Sequence, residues 1–286
     1  MHARSAAPVD RRAPARDAAA GAPADPAHPS LLVDAWVALR RYTPARIALG
    51  RAGDSLPTRA LLEFGLAQAQ ARDAVHADSQ AQSLLAQLAA AGHAAIGVHS
   101  AAPDRQQYLR RPDLGRRLAP QSRDRLLQWV GAQPQPRASD LVVVLADGLS
   151  PQAAARHALP LLQAVKPLLG DWTLGPVVVA DMARVALGDE IGALLGARLV
   201  AVFIGERPGL SAPDSLGVYL THAPRIGRTD AERNCLSNIR PEGLGYEAAA
   251  RRLQHLLAGA RRLGRSGVDL KDDSAPAGAA GALPAP

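Results

Sequence analysis

The sequence predicts an α/β fold: a doubly wound parallel sheet over residues 136–270, preceded by a mainly helical region over 30–135. Three observations predict it. The runs LVVVLA (141–146), VVVA (177–180) and LVAVFI (199–204) are continuous and rich in β-branched residues, as strands covered on both faces are. Between them, residues 151–169 and 187–195 repeat apolar side chains at helical period. Strand, helix, strand, helix, strand is the order that lays parallel strands side by side under helices.

The elements follow in order. Residues 1–29 are Ala, Pro, Arg and Asp with hardly a large apolar side chain, and 271–286 have the same character. Both are expected to be disordered tails, because they cannot bury enough surface to offset their ordering entropy. Leu61, Leu62, Phe64, Leu66 and Ala67 are read as one side of a helix opening near Pro57. Leu84, Leu85, Leu88 and Ala89 do the same in the next segment, and AAIGVH (94–99) fits a short strand. Ser150 stands where it caps a helix whose first residue is Pro151. After the third long run come a further strand at 216–220 and a closing helix at 247–263, with 237–241 (SNIRP) read as loop.

Composition excludes several classes of function. The formal charge is +7, yet lysine occurs only at Lys166 and Lys271 and aromatic residues are 3%. That is too few rings for the stacking platforms of single-strand binders, and no long basic run is present, so no nucleic-acid partner is expected. The pairs Arg110-Arg111 and Arg116-Arg117 read as solvated helix faces or a protein interface. No apolar stretch approaches the ~20 residues of a membrane span, and no secretory signal is visible. The single cysteine, Cys235, allows no intrachain disulfide and fits a reducing cytoplasm.

In open parallel sheets ligands bind beyond the carboxyl ends of the strands. Here the three long runs end in Asp147, in Asp181 with Arg184 and Val185 beyond it, and in Glu206 with Arg207. The acids are therefore expected to converge on one edge, although each is also explained by a polar turn or a surface ion pair. No phosphate-binding G-x-x-x-x-G-K-[ST] occurs. The stretch Gly243-Leu244-Gly245-Tyr246-Glu247-Ala248 matches G-x-G-x-x-A, but with no strand expected before it, it reads as a turn opening a helix. Cys235 lacks an evident base and reads as a packed thiol, and the eight histidines are scattered. The pattern is that of a domain built to hold something, with no catalytic set and no metal site.

Longer words carry a resemblance. TPARIALGRAG (43–53), PTRALLEF (57–64), YLRRPDLGRRL (108–118), LADGLS (145–150), ARVALGDEIGALLGA (183–197), GERPGLSAPDSL (205–216) and RNCLSNIRPEG (233–243) together resemble the small subunit of ethanolamine ammonia-lyase, in order, over roughly residues 31–270. The resemblance implies a Rossmann-like domain that binds adenosylcobalamin together with a large TIM-barrel subunit. That large subunit holds ethanolamine and converts it to acetaldehyde and ammonia by radical chemistry, so this chain acts only in a hetero-oligomer, with 30–135 as its large-subunit interface. It further implies cofactor contacts at Val185, Glu206 and Cys235. No aspartate is followed two residues later by histidine, so the D-x-H-x-x-G motif is absent and the cofactor's own base is expected to stay on cobalt. In some relatives the N-terminus is a targeting element, which leaves a bacterial microcompartment open beside the free cytoplasm. A stand-alone nucleotide-binding regulatory or scaffold module is the alternative. A nicotinamide-dependent oxidoreductase is disfavoured by the missing fingerprint.

Overall fold

The computed structural model describes residues 31–32, 34, 36–133 and 139–274. The tail 1–29, most of the tail 271–286 and the boundary drawn at 135/136 lie outside them. The chain divides into two compact units between Gly65 and Leu66.

The first unit holds a short antiparallel pair, β1 (Leu31–Leu32) and β2 (Arg51–Ala52), a 3₁₀ turn at Val37–Tyr42, and the opening of α1 (Thr58–His76). The expected apolar stripe on α1 is corrected here. Leu61, Leu62, Phe64 and Leu66 are all exposed, and the helix buries only Ala67 and Ala74. At ~100° per residue those four positions spread round the helix and cannot share one face.

In the second unit the elements run α2 (Ala81–Ala90), β3 (Ala95–His99), α3 (Arg105–Arg110), α4 (Pro120–Gly131), β4 (Leu141–Ala146) and α5 (Pro151–Val165). They continue as β5 (Val177–Asp181), α6 (Leu187–Leu194), β6 (Leu199–Gly205), β7 (Leu216–His222), β8 (Arg233–Ile239) and α7 (Tyr246–Leu263). Six strands form one sheet in the order β3-β5-β4-β6-β7-β8. The first four are parallel, whereas β7 and β8 are added antiparallel. The sheet is thus mixed, where a parallel one was expected.

Alternate residues of the central strands enter two separate cores. Leu141, Val143 and Leu145 pack with α2, α5 and α7, while Val142, Val144 and Ala146 pack with α4 and α6. Burial on both faces is why these runs show no polar alternation. Ser150 caps α5 as expected, accepting from Ala153 N–H at 3.4 Å with Pro151 at the first position.

The largest correction is β8, read from sequence as a polar loop. Leu236 and Ile239 are buried against the α5/α7 side, while Cys235, Ser237 and Asn238 are exposed. An edge strand with one open face needs apolar residues on the other face only. A strand therefore does precede Gly243-Leu244-Gly245, though it is an antiparallel edge strand. Gly243 closes the turn: a Cβ there would lie 2.3 Å from Asn238 O.

Candidate functional site

The connection after β4 leads into α5 on one face of the sheet, and that after β5 leads into α6 on the other. The ends of β4 and β5 therefore flank the crevice where doubly wound sheets ordinarily take ligands. Here that crevice is filled by the protein itself. Tyr108 of α3 is fully buried at these strand ends, with the Arg105 and Arg184 guanidiniums 4.9 and 4.4 Å from its ring centroid. Arg105 donates to Gly148 O at 2.8 Å and approaches Asp147 Oδ2 at 3.4 Å. Asp147 Oδ1 accepts from Gly148 N–H at 2.8 Å and Ala183 N–H at 3.0 Å. Asp181 lies 3.8 Å from His99 Nε2. Asp147 is thus engaged inside the crevice, whereas Asp181 borders it with a buried Oδ1 that has no hydrogen-bond partner among the described residues.

Burial pushes the Asp147 carboxyl up to about 7, with the nearby Asp181 charge adding to it against the backbone N–H groups of Ala183 and Met182 and the Arg105 charge. The sign is fixed by linkage. A carboxyl raised in the folded chain contributes stability that is full below its unfolded value of ~4 and is lost as pH rises through about 7. The melting temperature of wild type relative to Asp147→Asn is expected to fall by several degrees between pH 5 and pH 8. Thermal melts at intervals of one pH unit check it, and a constant difference would contradict it.

The third acid belongs to a different place. Glu206 follows β6 and turns toward β8, where Ser237 Oγ donates to its Oε1 at 2.6 Å and Asn238 N–H to its Oε2 at 3.2 Å. The bland expectation of a pair with Arg207 is not met: these hydrogen bonds go to β8, and Arg207 is exposed. Glu206 lies over Gly217 of β7, where a Cβ would come within 2.9 Å of Oε1. The bare glycine is what lets the carboxylate fold back across the strand. Asn238 takes a left-handed φ of +57° at the irregularity in the β7–β8 ladder, a conformation that asparagine tolerates better than most residues.

Cys235 pairs directly with Tyr219 across the β7–β8 ladder and is exposed. The sheet around it shields the thiol and raises its pKa, a hydrogen bond with Tyr219 offsets part of that, and the Glu206 charge raises it again. A thiol held above its ordinary value stays protonated at neutral pH and is a poor nucleophile. Tyr219 is likewise shifted up, by burial first and then by its neighbours Cys235 and Glu206. Val185, just before α6, packs on the same side of the sheet as Tyr219.

Further down that face the shelf is closed by a buried ion pair. Arg233 donates through Nη1 and Nη2 to the two Asp189 oxygens of α6 at 2.7 Å each, and through Nη1 to Thr221 Oγ1 at 2.9 Å. The open part, bounded by Val185, Glu206, Tyr219 and Cys235, is a partly apolar surface with a carboxylate at its edge. The structure brings Glu206 and Cys235 together and puts Val185 on the same face of the sheet. Sequence reasoning missed Gly217, Tyr219 and Ser237. Their part depends on cross-strand register, and the only local signal was the apolar Leu236 and Ile239 flanking polar residues.

The comparisons with known proteins agree on one family. The family profile described as ethanolamine ammonia-lyase light chain matches residues 33–271. The ethanolamine ammonia-lyase small subunit of Pseudomonas fluorescens (strain Pf0-1) is 53% identical over 254 residues, covering 88% of this chain and 90% of the relative. That of Ralstonia nicotianae is 56% identical over 239 residues, 83% and 88% of the two chains. That of Azotobacter vinelandii is 54% identical over 241 residues, 84% and 88%. With matches of this length and identity along both units, the chain belongs to the ethanolamine ammonia-lyase light-chain family, the small subunits of that enzyme.

Proposed function

We propose that the chain binds adenosylcobalamin on the face formed by Val185, Glu206 and Cys235, in a complex with the large subunit that converts ethanolamine to acetaldehyde and ammonia. The observation that carries this reading is the uncovered end of the β6–β7–β8 face. A corrin ring is broad and flat, edged by amide side chains, and needs an open surface with acceptors at its margin. Glu206 is half-buried and its two recorded donors leave carboxylate lone pairs free for such amides. Gly217 is buried beneath it and lets the carboxylate lie across the strand. Val185 and Tyr219 offer apolar contact, and Cys235 a neutral thiol. When bound, the cofactor supplies the radical chemistry, as cofactors do the reactions side chains cannot. The chain's own residues hold the ligand and shield it from water. The alternative of a stand-alone nucleotide-binding module is disfavoured, because Tyr108 and its two arginines fill the crevice a nucleotide would use.

The partner surface is narrower than the whole 30–135 region. In the first unit Trp36, Tyr42, Leu56, Leu61, Leu62 and Phe64 are exposed, with Arg40, Arg41, Arg51 and Arg59 among them. Large apolar side chains left exposed in this number mark a surface that a partner covers, and the arginines call for carboxylates on the large subunit. The double variant Leu61→Asp/Leu62→Asp is expected to weaken assembly at least ~30-fold, as loss of central apolar anchors does. It should keep the wild-type melting temperature alone. Co-purification with a tagged large subunit, followed by the cobalamin absorbance spectrum and ammonia release, tests the whole reading. Full turnover by the isolated chain would sink it.

A further inference from the structure

The segment that carries Val185 does not hold its shape alone. Met182 takes a left-handed φ of +51°, which costs a non-glycine residue free energy unless its surroundings enforce it. The enforcement comes from outside β5 and α6. Ala183 N–H donates to Asp147 Oδ1 at 3.0 Å, and Ala183 O accepts from Tyr108 Oη at 3.0 Å. Arg184 N–H donates to Gly115 O at 2.8 Å, and Arg184 Nη2 donates to Tyr108 O at 3.3 Å. Gly115 is pressed between the same two side chains: a Cβ there would lie 2.8 Å from Arg184 Cγ and 2.9 Å from Tyr108 Cε2. The two residues before Val185 are therefore fastened on both edges of the backbone.

Tyr108 is fully buried at this turn. It therefore reaches no ligand, and it belongs to neither apolar core of the sheet. Its ring faces guanidiniums and its hydroxyl faces a backbone carbonyl. A residue chosen for core volume alone would be served by phenylalanine among aliphatic neighbours.

We propose that Tyr108 is a positioning residue for the cofactor face: with Gly115 it fixes the turn at 182–184 and so sets Val185 on the shelf before any ligand arrives. This gives the YLRRPDLGRRL stretch a role inside the subunit, on the cofactor side. The proposal rests on the reading of Val185 as a cobalamin contact.

Tyr108→Phe keeps the ring and removes the donor to Ala183 O. In the complex with the large subunit it is expected to weaken adenosylcobalamin binding ~5–150-fold, the range for a buried carbonyl left unpaired, with kcat at saturating cofactor within about twofold. Wild-type affinity with only a lowered melting temperature would overturn the proposal, since that is what a merely structural role gives. A second measurement needs no variant. In the cofactor-free wild-type complex the amides of Ala183 and Arg184 are expected to exchange slowly with solvent deuterium. Rapid exchange that slows only when adenosylcobalamin is added would overturn preformation. Val185→Asp, titrated alongside, separates the two failures. If Val185→Asp binds cofactor poorly and Tyr108→Phe binds it normally, the positioning role alone fails. If Val185→Asp binds normally, the reading of Val185 fails and the proposal falls with it.

Discussion

Glu206→Ala is expected to weaken adenosylcobalamin binding by the complex ~10–100-fold while leaving turnover at saturating cofactor nearly unchanged. Two effects add. The cofactor's amide donors lose a charged acceptor, which costs ~1.5–3 kcal/mol in a partly dry interface. The carboxylate also ties the end of β6 to β8 through Ser237 and Asn238, so its removal loosens the shelf itself. Glu206→Gln keeps a carbonyl acceptor and nearly the same shape over Gly217, and is expected to lose less. The contrast between Ala and Gln distinguishes a ligand contact from a turn residue. If both bind cofactor as wild type does, Glu206 serves only the loop.

The second large effect falls on stability. Asp189 and Arg233 each keep 2% side-chain exposure and meet in a two-pronged contact at 2.7 Å. Removing one partner of such a pair leaves a buried charge without compensation, at a cost of ~3–5 kcal/mol. Asp189→Ala is therefore expected to lower the melting temperature by roughly 6–20 °C for a unit of this size. Burial pushes the Asp189 carboxyl up even though Arg233 holds it down, so desolvation is a large part of the balance. Asp189→Leu combined with Arg233→Met should recover most of the loss, because apolar residues of similar volume often replace a buried pair without penalty. A double variant no more stable than Asp189→Ala would mean that Thr221 and the Arg228 carbonyl, which Arg233 also contacts, matter more than the charge pair.

Arg233 also shows why part of this molecule was not legible in its sequence. It stands 44 residues from Asp189, and no local pattern reveals that a charged residue opens a strand by being buried. β8 was hidden for the same reason: its outward positions are polar because its face is uncovered. The three central strands were legible, since burial on both faces leaves a continuous apolar run that little else produces. Their direction was not. The β7 residues Leu216–Leu220 look like those of β6, and only the short return from Gly205 to Leu216, paired directly in the ladder, makes the strand antiparallel. Apolar side chains on α1 suggested one shared side of a helix, because composition does not distinguish a buried stripe from an exposed surface.

At the site, Glu206 was legible as an acid closing a buried strand, and Asp147 and Asp181 were picked out for the same reason. What separates them is the plug. Tyr108 and Arg105 come from a six-residue helix that no strand-end argument includes, and they claim the crevice that Asp147 and Asp181 border. The ligand face we propose lies on the β6–β8 side, where Gly217 and Tyr219 matter through their cross-strand partners.

Deuterium exchange of the preassembled complex with the large subunit, measured with and without adenosylcobalamin, tests cofactor binding on this face most directly. Added cofactor is predicted to slow exchange in peptides covering 205–219 and 233–239, and to leave 105–111 at the filled crevice unchanged. Bound cofactor, seen by its absorbance, with no change in 205–219 and 233–239 would contradict it.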